Sequence, residues 1–209
     1  MTLPIFYSFR RCPYAMRARL ALQSTGIQVE LREIVLKDKA PEFLDTSPSK
    51  TVPCLKAGKR VIDESLHIMA WALGQKDPEH WLEMPPEGYE LIAQCDGPFK
   101  QALDRTKYAT RYTENDPSEE RKKASEFIEA LEIQLTDGFL FADTPKVADM
   151  AILPFVRQFA NTDKTWFANQ PWPKVQTWLD RFVNSDQFSS IMDKYPKWTT
   201  GDPITLFPN

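Results

Sequence analysis

Apolar and polar positions follow two different textures along this chain of 209 residues. Up to residue 76, short apolar runs alternate with helical stretches. Leu3-Pro4-Ile5-Phe6-Tyr7 is a compact apolar run that predicts a buried strand. Cys12 to Thr25 predicts a helix. Pro13 suits a first helical position, Met16 and Leu20 share a face with Arg17 and Arg19 elsewhere, and Gly26 fits the stop. Gln28 to Val35 alternates and is rich in Val and Ile, so it predicts a strand. A short helix over Pro41 to Asp45 ends before Ser47-Pro48. Pro53-Cys54-Leu55-Lys56 and Arg60-Val61-Ile62 predict a hairpin turning at Ala57-Gly58, and Glu64 to Leu73 closes the unit as a helix with Gly74 at its end. The order is βαβαββα, an α/β domain over residues 1–76.

Residues 77–87 carry Pro78, Pro85 and Pro86 and predict a linker. Residues 88–209 then predict an all-α domain. The periodicity from Glu90 to Tyr108 is interrupted at Gly97-Pro98, where the missing proline donor should kink or split the helix. Ser118 to Leu135 predicts a strong helix with Ser118 as N-cap, and Val147 to Phe159 is apolar nearly all round, the mark of a buried helix. Lys174 to Asn184 and Ser185 to Asp193 predict two more. The tail from Trp198, with Pro203 and Pro208, predicts irregular chain.

Composition narrows the function classes. Lys plus Arg number 26 and Asp plus Glu 29, a net charge of -3 that argues against a dedicated nucleic-acid binder. No apolar run approaches the ~18 residues of a membrane span, and the first ten residues lack a basic segment followed by a long apolar one. Three scattered cysteines do not make a disulfide framework. The expectation is a cytoplasmic protein in a reducing compartment, with no membrane partner, and the odd cysteine count directs attention to a free thiol.

Arg10-Arg11-Cys12-Pro13-Tyr14-Ala15 sits between a predicted strand and a predicted helix. Pro13 has no N–H, so the first amides able to donate to the Cys12 sulfur belong to Tyr14 and Ala15. With the helix dipole and two preceding arginines, they favour the nucleophilic thiolate. Cysteine is a poor cap compared with Ser or Asp, which favours a chemical role over simple capping. Ala15 stands where a C-x-x-C motif would hold its second thiol, so redox turnover needs an outside thiol, and glutathione is the abundant candidate. Cys54 and Cys95 read as buried packing residues. His67 and His80 lack ligand partners at metal spacing, so no metal is expected.

The first ~75 residues resemble the thioredoxin-like domain of cytosolic glutathione transferases, and the helical remainder has the length of their C-terminal domain. Cys12-Pro13-Tyr14-Ala15 resembles the cysteine-type members, the omega-class and two-domain glutaredoxin-like proteins. Val52-Pro53 matches the family's Val-cis-Pro, whose backbone pairs with the cysteinyl part of glutathione. Glu64-Ser65 matches the pair that holds the γ-glutamyl end, and Lys39 a lysine that reaches the glycyl carboxylate. The resemblance thus implies Cys12 as catalytic residue and Pro13, Tyr14, Lys39, Val52, Pro53, Glu64 and Ser65 as glutathione-binding residues. Lys39 read by itself is equally an ordinary solvated lysine. Ala148-Asp149 with Pro154 matches the buried helix of the second domain. Lys146 stands where the family has a Ser or Thr cap, so the cap must be made differently.

Arg105, Lys107, Tyr108, Arg111 and Tyr112 lie where the family walls its second-substrate pocket. Of these, Tyr108, Arg111 and Tyr112 are the candidates; a solvated helix face is the other reading. Trp166, Trp172 and Trp178 read as core or pocket wall. The resemblance implies a transferase that takes glutathione as co-substrate with a small electrophile or disulfide, favouring thiol transfer and deglutathionylation. For assembly it implies either a homodimer or a monomer. The alternatives are a non-catalytic interaction module of the same fold, and a transferase dedicated to one metabolic substrate.

Overall fold

The computed structural model describes residues 2–136 and 138–209. The chain forms two compact units, residues up to 79 together with 184–209, and residues 80–183.

The first unit contains β1 (Ile5–Ser8), α1 (Pro13–Thr25), β2 (Val29–Glu33), α2 (Pro41–Thr46), β3 (Cys54–Ala57), β4 (Arg60–Ile62) and α3 (Ser65–Leu73). Among the described residues these four strands and β5 (Leu206–Phe207) form one sheet in the order β4-β3-β1-β2-β5. β1 and β2 are parallel, with Phe6 opposite Leu31, so α1 is their crossover. β3 and β4 are antiparallel with Leu55 opposite Ile62, and Gly58 turns between them at φ 60°, a left-handed conformation that glycine adopts without penalty. Gly26 ends α1 in the same region, at φ 67°. This is the predicted βαβαββα order.

Three features of this unit escaped the sequence pattern. The outer strand β5 (Leu206–Phe207) pairs antiparallel with β2, with Phe207 opposite Val29. The expected helical domain over residues 88–209 therefore ends earlier, because the last segment, with α10 (Asp186–Ser190), belongs to the sheet unit. The reason is the edge of β2, whose backbone groups gain partners from the tail. A two-residue strand leaves no periodicity to read. Arg17 and Arg19, expected off the apolar face, are both fully buried. Arg19 is buried with its charge met: its guanidinium pairs with Glu33 at 2.5 Å, and donates to Ser8 Oγ at 2.8 Å and the Ile191 carbonyl at 3.0 Å.

The second unit is helical: α4 (Glu87–Gln94), a π turn (Cys95–Phe99), α5 (Lys100–Lys107), a 3-10 turn (Ala109–Arg111), α6 (Pro117–Gln134), α7 (Val147–Ala160), α8 (Lys164–Ala168) and α9 (Pro173–Val183). The expected break at Gly97-Pro98 is the π turn, in which the Lys100 amide reaches back to the Cys95 carbonyl. α6 starts one residue earlier than expected. Asp116, not Ser118, is its cap and accepts from the Ser118 amide at 2.8 Å, with Pro117 in the first helical position. α8 is too short to show a period and was not predicted. No helix among the described residues is long and apolar enough to cross a membrane.

α7 is buried along nearly its whole length. An ammonium has no acceptor, so Lys146 cannot cap α7 through its side chain, and only the return half of a capping box exists. Asp149 accepts from the Lys146 amide at 2.8 Å, from the Leu140 amide at 3.0 Å and from Trp178 Nε1 at 3.0 Å. The Lys146 ammonium donates to the His80 carbonyl at 2.9 Å. Burial pushes the Asp149 carboxyl up to about 6, against the pull of these donors. The folded chain then binds this proton more tightly than the unfolded chain, whose aspartates titrate near ~3.9. Asp149 therefore contributes stability below about pH 4 that declines by up to ~3 kcal/mol as pH rises through about 6. Thermal unfolding of wild type and Asp149→Asn, compared between about pH 4 and pH 7, checks this: the variant should lack that component of the slope.

Candidate functional site

The segment Phe9-Arg10-Arg11-Cys12 is a turn closed by the Cys12 amide on the Phe9 carbonyl at 2.9 Å. It joins the end of β1 to the start of α1. Cys12 is the N-cap residue, at φ -78° and ψ 122°, and Pro13 follows as the buried first residue of the helix. The Cys12 side chain makes no capping hydrogen bond, which corrects the expectation that the Tyr14 and Ala15 amides would hold the sulfur. Its Sγ instead donates to the Val52 carbonyl at 3.8 Å. A neutral thiol is a weak donor, so it turns to a carbonyl, whereas acceptance from the helix amides suits the thiolate. Cys12 is half-buried against an apolar cluster of Tyr7, Ile34, Ala40, Phe43, Val52, Cys54 and Trp198.

The arginines beside Cys12 have structural partners. Arg10 Nη1 donates to the Met192 carbonyl at 3.2 Å, and the Arg11 guanidinium lies 5.4 Å from the Phe9 ring centre. The half-buried Tyr14 has the Arg17 guanidinium 5.6 Å from its ring. Ala15 is fully buried where a second thiol would stand.

Val52–Pro53 is a cis peptide, and both residues are buried. The loop before it is tied down twice. Lys39 Nζ donates to the Lys50 carbonyl at 2.9 Å, and the Ser49 amide donates to Asp63 Oδ2 at 2.9 Å. Asp63 thereby fixes the start of α3 beside this loop. Glu64 is the N-cap of α3, its carbonyl accepting from the Ile68 amide at 3.0 Å, and Ser65 is the buried first residue. Among the described residues, neither the Glu64 carboxylate nor the Ser65 hydroxyl has a hydrogen-bond partner. At the start of this nine-residue helix an exposed carboxylate and a buried hydroxyl therefore stand without partners among the described residues, beside amides whose dipole favours an anion.

The structure thus brings Cys12, Val52, Pro53, Lys39, Glu64 and Ser65 around one loop. Asp63 and Glu33 were missed. Asp63 had a signal, its place directly before Glu64-Ser65; Glu33 had none, being one polar position in an alternating strand. Tyr108, Arg111 and Tyr112 lie in the helical unit, where Arg111 and Lys107 stack on the Tyr108 ring at 4.7 Å and 5.0 Å. Arg105 pairs with the buried Glu120 at 3.6 Å. Trp178 is core, through Asp149, while Trp166 and Trp172 form an edge-to-face pair at 5.6 Å. His67 is exposed and His80 Nδ1 pairs with Glu83 at 2.8 Å. No group of three or more metal-ligating side chains occurs among the described residues.

A mixed sheet with a crossover helix, a cysteine at that helix's start and a cis-proline loop facing the thiol is a thioredoxin-like domain, here followed by a helical unit. Comparison with known proteins narrows the class. Residues 6–81 match the family model for the glutathione S-transferase N-terminal domain, and residues 92–181 that for the C-terminal domain. Glutathione S-transferase DHAR2 of Arabidopsis thaliana is 31% identical over 190 residues, covering 88% of this chain and 84% of that protein. Two crystal structures share the fold. One is a glutathione transferase family member from Pseudomonas fluorescens pf-5 with two glutathione bound, TM-score 0.76 at 17% identity, covering 91% of this chain and 92% of that one. The other is glutathione transferase Omega 3C from Trametes versicolor, TM-score 0.75 at 16% identity, covering 94% and 91%. The chain belongs to the glutathione S-transferase family.

The three thiols differ enough to be told apart. Cys54 is fully buried and burial pushes its thiol up to about 11; Cys95 is fully buried in the π turn. Cys12 should therefore be alkylated first at mildly acidic pH, as read by peptide mapping. Labelling of Cys54 or Cys95 ahead of Cys12 would contradict this assignment.

Proposed function

We propose that this protein is a glutathione-dependent thiol transferase whose nucleophile is Cys12. The observation that carries this reading is a half-buried thiol at the start of α1, turned to the Val52 carbonyl of the cis-proline loop, with alanine at the partner position. The Cys12 thiolate attacks the glutathionyl sulfur of a mixed disulfide, forming Cys12–S–S–glutathione. The second sulfur leaves as a thiolate and takes a proton from water. A second glutathione thiolate then attacks the adduct, releasing glutathione disulfide and restoring the Cys12 thiolate. Electrons balance without an internal disulfide, and turnover rises with glutathione concentration.

Glutathione is held by complementary charge. The Val52 backbone meets its cysteinyl part, Glu64 its ammonium, Ser65 and the α3 amides its α-carboxylate, and Lys39 its far carboxylate on leaving the Lys50 carbonyl. The second substrate is a small disulfide or electrophile. The three free cysteines suit a reducing cytoplasm. A hydroxyl at position 12 would stabilise the glutathione thiolate without bonding to it, which is conjugation chemistry; a thiol there favours exchange.

Two variants test the reading. Cys12→Ser should abolish thiol transfer to a mixed-disulfide substrate while sparing or raising conjugation of a chloroaromatic one. Thiol transfer retained by Cys12→Ser would overturn the mechanism. Ser65→Ala should weaken glutathione binding roughly ten- to a hundred-fold, the worth of a hydrogen bond to a charged group. Calorimetric titration reads this, and equal affinities would reduce Glu64-Ser65 to a helix start.

A further inference from the structure

We propose that Glu33 is a positioning residue for Cys12, its buried carboxylate fixing the turn that presents the thiol. This rests on the reading of Cys12 as nucleophile. In the turn closed between Phe9 and Cys12, the Arg10 amide at the second position has no partner within the turn itself. A backbone amide partly withdrawn from water is stabilised by one. Glu33 Oε1 supplies it at 2.7 Å, while Oε2 meets the Arg19 guanidinium at 2.5 Å. Arg19 balances the charge and leaves the other oxygen for the turn. A carboxylate is a stronger acceptor than a neutral oxygen, and this one is directed at the backbone two residues before the thiol.

The same pair secures both sides of the turn. Arg19 Nε donates to Ser8 Oγ at the end of β1, and the Ser8 carbonyl accepts from the Ile34 amide at 2.7 Å. Beyond the turn, the Cys12 carbonyl accepts the first α1 bond from Met16 at 2.9 Å. With β1 and α1 fixed, the bond to the Arg10 amide sets the orientation of the intervening peptides, and with them the direction of the Cys12 side chain toward Val52. The C-terminal segment is tied to both residues: the Trp198 amide donates to the Glu33 carbonyl at 2.9 Å, and Arg10 Nη1 donates to the Met192 carbonyl at 3.2 Å.

Removing Glu33 alone would strand the buried Arg19 charge, so paired substitutions separate fold from positioning. Arg19→Met with Glu33→Gln removes the ion pair but keeps a carbonyl acceptor for the Arg10 amide. Arg19→Met with Glu33→Met removes both. The second double variant should show iodoacetamide labelling of Cys12 and thiol-transfer kcat below the first by up to about a hundredfold, the cost of a reacting group misplaced by roughly 1 Å, with glutathione affinity unchanged between them. Equal labelling and kcat in the two would overturn the positioning role. In the unaltered chain, the Arg10 amide should be strongly protected from hydrogen exchange, and fast exchange there would overturn it as well, whatever the variants do. Failure of the Cys12 reading is a separate outcome, seen as thiol transfer that survives Cys12→Ser.

Discussion

Arg19 in α1 and Glu33 at the end of β2 meet at 2.5 Å in the interior of the sheet unit, the arginine fully buried and the glutamate nearly so. Burial drives the arginine's pKa down and Glu33 opposes that shift, so each charge is tolerated because the other is present. A buried pair of this kind adds little net stability over an apolar pair, while removing one partner costs about 3–5 kcal/mol. What it adds is arrangement. From this one contact, hydrogen bonds run to Ser8 in β1, to the Arg10 amide in the turn before Cys12 and to the Ile191 carbonyl in the C-terminal segment. Strand, turn, helix and tail thus all contact one pair of side chains.

The thiol site grows out of that arrangement. The turn places Cys12 at the start of α1, and the cis Val52–Pro53 loop meets it from the other side. Asp63 and Lys39 hold the same loop, so the groups that would grip a γ-glutamyl end and a glycyl carboxylate are pinned to the loop that faces the sulfur. Cys54, though part of the apolar cluster behind Cys12, is fully buried with its thiol pushed up to about 11. One thiol is chemically available and its neighbour is packing. That division fits a centre that borrows its second thiol from solution.

Much of this was legible in the sequence, for physical reasons. The strand-helix alternation up to Gly74 follows local periodicity, and Pro13, Gly26 and Gly58 mark element ends through backbone preferences that do not depend on tertiary context. Cys12 stood out because its position at a predicted helix start is itself a local feature. Val52-Pro53 and Glu64-Ser65 acquired meaning from a family resemblance that relatives across most of the chain's length now support. What the pattern hid was long-range. By its charge Arg19 reads as lying off the apolar face, yet it is buried because Glu33, fourteen positions away, meets that charge. β5 is two residues that become a strand only against the edge of β2. The thiol's orientation toward Val52, rather than toward the helix amides, depends on a loop forty residues distant.

In the proposed mechanism Cys12 exchanges disulfides with glutathione through a covalent adduct on its own sulfur. Incubating the reduced protein with glutathione disulfide, then recording its intact mass and mapping the modified peptide, tests this most directly. The expected result is a gain of one glutathionyl unit, located on Cys12 and removed by fresh glutathione. An unmodified protein, an adduct on Cys54 or Cys95, or an internal Cys12–Cys54 disulfide would contradict it.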